Sequence, residues 1–366
     1  MSVLERFDAW LAPDGPVAVA MREPLEPVLG EGAVIFPPTF APPTKGDPPY
    51  YVIDETSKGK MAIVDTVGSQ ANRMEPLFKE EPYSKLVPRA VVKVGARDVN
   101  LLDAGHRAAD ALVRFSNQKS ALSEAFRAIS ECRDFAPLAK LAPTSLVFGV
   151  WDSRDTGVKV PRLVGSTVRA YGVEPLTRSA QYFSAFKKSE TETLGQTQDF
   201  LSEQGLSDAP AGRGPGGVVA RGGVRRESVL NLVALRALAA KPPVETKALQ
   251  RYVLGLALVA LTAPLELFLR EGCLLVPSGG EDAVIRDEVS RNGKRVPFAL
   301  NADSALEFAQ AAAAAFIVGK AWAEAAFDDE LVKAAANAKV AKAKVAKAKK
   351  EKEAKEKKEK KEKAGL

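Results

Sequence analysis

The longest apolar run, VLGLALVALTAPLELFL (residues 253–269), decides first what this chain can fold into. A helix crossing a bilayer needs about 20 predominantly apolar residues. Pro264 and Glu266 interrupt this run, so it reads as a buried helix, with no membrane partner expected. The opening MSVLERFDAWLAP lacks the long apolar stretch of a signal peptide. Only Cys132 and Cys273 are present, which argues against a disulfide framework or a thiolate metal site and suits a reducing cytoplasm. With 46% apolar and 27% charged residues over 366 positions, the chain reads as soluble and globular. It is long enough for one large domain or two smaller ones.

The formal net charge of +6 suggests a polyanionic partner, but its location matters. Residues 333–363 hold 14 Lys and 5 Glu, a net of +9, so the other residues sum to −3. The basic surplus therefore belongs to the tail. That tail, residues 331–366, is Lys/Ala/Glu-rich; Glu351, Glu353, Glu356 and Glu359 each precede a lysine by four residues, the favourable order for helical ion pairs. It has no apolar seam for a coiled coil and reads as a solvated, partly helical extension with weak attraction for phosphate.

The first half alternates short strand-like runs with Pro/Gly breaks: 17–21, 33–40, 50–54, 60–67 and 90–94. Helical periodicity follows at 101–115 and 120–131. Strands are expected at 145–154 and 162–173. Residues 205–226 hold nine Gly or Pro and read as an exposed flexible loop. From 227 the pattern turns helical, through 227–240 and 244–261, with a late helix at 303–327.

Four places carry candidate chemistry. His106 is the sole histidine, so any Ser-His-Asp triad or histidine-based acid must use it. No G-x-S-x-G elbow accompanies it, and a histidine satisfied by Asp110 one turn on is the plainer reading. The stretch GSQANR (68–73) places Ser69, Gln70, Asn72 and Arg73 where a strand turns into a short helix. With Ser69 as N-cap, the free N–H groups, the neutral donors and Arg73 suit a phosphate. A capped connector whose Arg73 pairs with Glu75 or another acid is equally compatible. The Walker spacing is absent, so nucleotide hydrolysis has no support. Between 151 and 182, Arg154, Arg178, Gln181 and Tyr182 sit among Trp151 and Tyr171, a mixture suited to phosphates on cations and bases on rings. Trp151 in the core, with Asp152 and Asp155 pairing to Arg154, is the alternative there. Finally Arg213, Arg221, Arg225 and Arg226 have no acid until Glu227, so a mobile loop could close over a polyanion or simply connect.

Taken together, GSQANRMEPLF, NLLDAGHRAADALVRFS, APTSLVFGVWDSRDT, PRLVGSTVRAYGV and TRSAQY give a sequence that resembles the Cas-seven superfamily. That is the repeating backbone subunit of type I CRISPR Cascade complexes, here in the subtype I-G (formerly I-U) branch. The likeness runs from about residue 33 to about 325. It implies an α+β fold with an RRM-like (ferredoxin-like) palm over residues 1–330, large insertions, a helical portion in the second half and a thumb-like projection at about 205–226. It also implies a subunit that stacks head to tail with other copies along CRISPR RNA, joins other Cascade subunits and meets target DNA through the guide. The sequence itself is then read by base pairing. By position, Ser69, Gln70, Asn72 and Arg73 would face guide phosphates, with Arg154, Arg178, Gln181 and Tyr182 along the same groove. The four loop arginines would meet the target strand. No cofactor, metal or catalytic residue is carried over. Two competitors remain: a metal-independent ribonuclease using His106 with Arg73 or Arg107, and a scaffold that touches nucleic acid through its lysine tail.

Overall fold

The computed structural model describes residues 2–44, 47, 49–57, 59–179, 181–210 and 214–337. Two compact units interleave along the chain. The first comprises Met1–Glu75, Arg162–Ala237 and Leu254–Ala312; the second comprises Pro76–Pro161, Leu238–Val253 and Ala313–Leu366.

In the first unit, VGSTVRAY alternates buried and half-exposed residues without a break, which makes Val164–Tyr171 an inner strand with one face on the core. The unit uses β1 (Ala18–Pro27), β2 (Val34–Ile35), β3 (Ile53–Thr56), β4 (Gly59–Asp65), α1 (Val67–Met74), β5 (Val164–Tyr171), β6 (Val173–Arg178), β7 (Gly214–Ala220) and β8 (Val224–Asn231). After these come α2 (Thr246–Thr262), β9 (Leu267–Arg270), β10 (Cys273–Pro277), β11 (Ile285–Val289), β12 (Arg295–Pro297) and α3 (Ala302–Phe316). Among the described residues the main sheet runs β9-β10-β1-β8-β5-β4-β3, with β11 also on β1 and β12 on β11. Every pairing in it is antiparallel.

Four of these strands define the topology. β1, β5, β8 and the β10/β11 position are first to fourth in the chain and lie in the order fourth, first, third, second. That is the split βαβ arrangement of a ferredoxin-like sheet, so the expected α+β fold and palm are present. Helix α1 falls in the first crossover, α2 in the second, and β3–β4 extends the sheet beyond β5. The inner face packs Leu25, Ala62, Val64, Val168, Ala170 and Val224 into one apolar cluster with Leu267, Leu269 and Cys273. Each fully buried Val or Leu here contributes about 1.5–3 kcal/mol.

A smaller sheet, β6-β7-β2, explains the glycines read as a flexible loop. A side chain at Gly216 would sit 2.5 Å from the backbone carbon of Thr177, and one at Gly217 would sit 2.4 Å from a Val34 methyl. These glycines permit close strand approach. Val218 and Val219 are buried, so residues 214–220 and 224–226 are strand, joined by a short turn at 221–223, and not a mobile loop.

Other expectations shift for local reasons. Residues 227–231 are strand, because Val224, Arg226, Ser228 and Leu230 alternate into the core; the helix Leu232–Arg236 starts only where Asn231 Oδ1 accepts from Ala234 N. The long apolar run is helical to Thr262 and becomes β9 beyond Pro264. The late helix stops at Phe316, where Ile317 takes a left-handed conformation (φ 56°).

In the second unit, the helix Lys119–Cys132 forms as read. The expected 101–115 helix is broken into the turns Leu101–Asp103 and Arg107–Ala109 and the short helix Ala111–Arg114. Arg107 is left-handed (φ 51°), and Asp110 caps Leu112 N instead of continuing a helix, so Asp110 is not one helical turn beyond His106. Residues Thr144–Phe148 are helical where a strand was expected; the chain turns at Gly149 (φ 80°), leaving only Val150–Trp151 extended. Tyr252 stacks on Phe316 at 4.9 Å and donates to Leu86 O at 2.8 Å. Residues 329–337 are helical, and the tail from 338 lies outside the described residues.

Candidate nucleic-acid interface

Strand β4 ends on Asp65, which is 1% exposed, and Thr66 starts α1 as its N-cap by accepting from Ser69 N at 3.2 Å. The helix therefore begins before Ser69, whose hydroxyl lies 3.0 Å from that of Thr66. Gln70 is fully buried: it donates to Asp65 Oδ2 at 2.7 Å and accepts from Ser166 Oγ at 3.0 Å, which in turn accepts from Ser228 Oγ. Such a chain of satisfied polar groups specifies one packing of α1 on the sheet. It also leaves Gln70 no surface on which to meet a phosphate.

Arg73 turns inward as well. Its Nε donates to Asp65 Oδ2 at 3.0 Å, and its two terminal nitrogens donate to the carbonyls of Phe268 and Leu269. Arg270 approaches Asp65 from the other side, 3.4 Å from Oδ1, and donates to Val64 O and Phe36 O. One buried carboxylate thus organises two arginines, each with about a quarter of its side chain exposed (28% and 26%). Asn72 alone of the GSQANR residues is exposed. The acid partner of Arg73 is Asp65, not Glu75.

Beside this cluster a cleft of about 510 Å³ opens between Phe36, Tyr51, Arg178, Pro215, Arg270 and Glu271. The Arg178 guanidinium lies 5.5 Å from the Phe36 ring centroid, and the Tyr51 hydroxyl accepts from Gly217 N at 3.0 Å. Burial pushes the Tyr51 phenol above its usual range, so it stays protonated at neutral pH. Of these residues the sequence singled out only Arg178. In sequence the aromatic residues of FPPTF and YYVID read as strand residues, and nothing local marks Arg270.

The sheet face opposite the core carries the second concentration of charge. Alternation along β5 and β8 turns Arg169, Tyr171, Arg225 and Glu227 outward, and Arg169 is the cross-strand partner of Arg225. Arg225 stacks over Tyr171 with its guanidinium carbon 4.2 Å from the ring centroid. Arg169 pairs with Glu227 at 2.8 Å, and Arg22 on β1 with Asp287 at 2.6 Å. The Tyr171 phenol is also pushed up, first by burial and then by Glu227. An aromatic ring with one arginine stacked on it, on an open sheet face, can hold a base and its phosphate together.

The remaining expected site residues scatter. Arg226 is buried and paired with Glu23 at 2.5 Å, and Arg221 pairs with Glu174 at 3.1 Å, so both meet acids that lie outside the stretch considered in sequence. Tyr182 is half exposed and donates to Gly205 O at 3.0 Å. Gln181 pairs in a short ribbon with Pro210, its side chain outside the described residues, as is Arg213 altogether. Arg154 is exposed in a turn of the second unit. His106 is exposed; its neighbour Arg107 is buried, donates to Gly149 O at 3.4 Å and lies 5.4 Å from the Phe148 ring. No cluster suited to a metal ion occurs among the described residues, nor any helix long and apolar enough to cross a membrane.

A ferredoxin-like palm with arginine–aromatic contacts on its open face has the chemistry that a single-stranded nucleic acid would require of a binding surface. Residues 19–175 match the family model described as CRISPR-associated protein GSU0053. That stretch is less than half of the chain, and the match supports the resemblance to a CRISPR-associated Cascade subunit. The match does not extend to the subtype. A solved chain titled "CRISPR RNA-guided surveillance complex, pre-nicking" aligns over 76% of both chains at 10% identity with a TM-score of 0.31. No curated protein matches.

Proposed function

We propose that this protein is a non-catalytic CRISPR RNA-binding subunit of a Cascade complex. In this reading it acts in the cytoplasm, stacks with copies of itself along the guide and supports pairing with target DNA. The observation that carries the reading is the overlap of the family match with the palm: residues 19–175 run from β1 through β5 and so include the outward Arg169 and Tyr171. A subunit repeated along one RNA needs few contacts per copy, because linked sites multiply their effect. That agrees with a body of net charge −3 outside the tail.

In this account Arg225, Tyr171 and Arg169 contact the guide, Arg178 and Arg270 line a second contact in the 510 Å³ cleft, and Asn72 is the exposed polar group at the start of α1. Residues 182–208, with exposed Phe183 and Phe186, take the projecting role that the resemblance implies at about 205–226. The test is the chain expressed with a CRISPR array and its partner subunits. Tyr171→Ala with Arg225→Ala should lose the bound RNA, while truncation before Lys333 should keep it. The opposite pattern would favour the scaffold reading through the tail.

A further inference from the structure

The second unit holds a cleft that the palm reading does not use. It has a volume of about 260 Å³, is lined by Gly105, His106, Arg107, Gly149, Trp151 and Arg154, and belongs to that unit alone. One wall is formed by Val150–Trp151, which pairs as a two-stranded ribbon with Lys159–Val160. The pleat turns Val150 and Val160 inward, where they are 7% and 3% exposed, and turns Trp151 and Lys159 outward. Trp151 is 62% exposed, which overturns the reading of this tryptophan as core. Lys159, its cross-strand partner, lies 5.7 Å from the ring centroid.

Exposing most of a tryptophan forgoes one of the largest apolar burials a side chain offers. The surroundings explain what replaces it. The turn that follows is rigid: Asp152 N donates to Val158 O, Gly157 N donates to Asp152 O, and the Asp152 carboxylate accepts from both Thr156 N and Thr156 Oγ1. Asp155 accepts from Ser123 Oγ. Both acids are thus engaged within the unit, while Arg154, Lys159 and His106 are exposed around the ring. Ligand pockets for whole small molecules run about 300–1,000 Å³, so this cleft suits one base and its phosphate.

We infer that Trp151 is a stacking platform for one unpaired base of a nucleic acid, with Arg154, Lys159 and His106 facing the adjoining phosphates. This rests on the RNA-binding reading but places a separate contact on the second unit. An extended strand can occupy such a platform whatever its sequence, because every base presents a π-face.

The full chain, titrated with a uridylate oligonucleotide and followed by tryptophan emission, tests it. Trp10 is buried and the Trp322 indole N–H is held by Leu141 O, so Trp151 is the exposed reporter. The wild type should be quenched on binding. Trp151→Phe should bind comparably without the quenching, and Trp151→Ala should bind about 5- to 100-fold more weakly with an unchanged circular dichroism spectrum. Equal binding by Trp151→Ala, or quenching that persists in Trp151→Phe, overturns the inference while leaving the palm reading intact. Normal oligonucleotide binding by Trp151→Ala with loss of co-purifying subunits overturns it in favour of a protein contact. If the wild-type chain and its co-expressed assembly bind no RNA at all, both readings fall.

Discussion

Asp65 Oδ2 accepts from Arg73 Nε at 3.0 Å, on a carboxylate that is 1% exposed. The arginine that looks, in sequence, like a phosphate fork is thereby fixed to the strand that precedes its own helix, and Arg270 is fixed to the same acid from β9. The pair ties β4, α1 and β9 together. It decides which substitutions should unfold the palm and which should empty it.

Asp65→Asn keeps the shape and removes the charge that two arginines share. Breaking a buried ion pair costs about 3–5 kcal/mol, so urea denaturation should show a loss of that order. A loss under about 1 kcal/mol would mean that backbone carbonyls alone satisfy both guanidiniums.

Arg73 and Arg178 should separate stability from binding. Arg73→Ala removes bonds to Asp65, Phe268 and Leu269 and should lower the melting temperature clearly. Arg178 is exposed over Phe36, so Arg178→Ala should leave melting within a degree or two, about 0.5 kcal/mol, and reduce retained RNA. Equal effects of both on melting would contradict the division.

The two thiols should differ. Cys132 is exposed, whereas Cys273 is buried and burial pushes its thiol up to about 11. At pH 8 a thiol reagent should modify one cysteine per native chain and two after denaturation. The same shift has a pH consequence: the unfolded thiol ionises first, so this contribution to stability is complete below about pH 9 and declines as pH rises toward 11.

Gly255 marks a close helix approach. A Cβ there would lie 2.8 Å from Ala309 Cα and 3.1 Å from Ala309 Cβ, so α2 and α3 meet backbone to backbone. Gly255→Val should cost about 1–3 kcal/mol by overpacking, measured by thermal denaturation, although valine is otherwise at ease in an apolar core.

Some of this could be read from residues in advance. The strand Val164–Tyr171 and the helices Thr246–Thr262 and Lys119–Cys132 follow periodicity, and the resemblance carried the ferredoxin-like palm. What escaped was set by partners distant in the chain. Arg226 faces Glu23 across β8 and β1, and Gln70 meets Ser166 across 96 positions. The glycines of 214–223 mean close strand packing only once Thr177 and Val34 are beside them. Likewise Arg225 and Tyr171 stack because two strands pair, which no window around either residue reveals.

The most direct test of the central claim is to purify the chain expressed with a CRISPR array and its partner subunits, then extract and size the nucleic acid it holds. The account predicts discrete RNA of guide length in an assembly far heavier than the 39.1 kDa chain. Heterogeneous or absent RNA with a monomeric protein would contradict it.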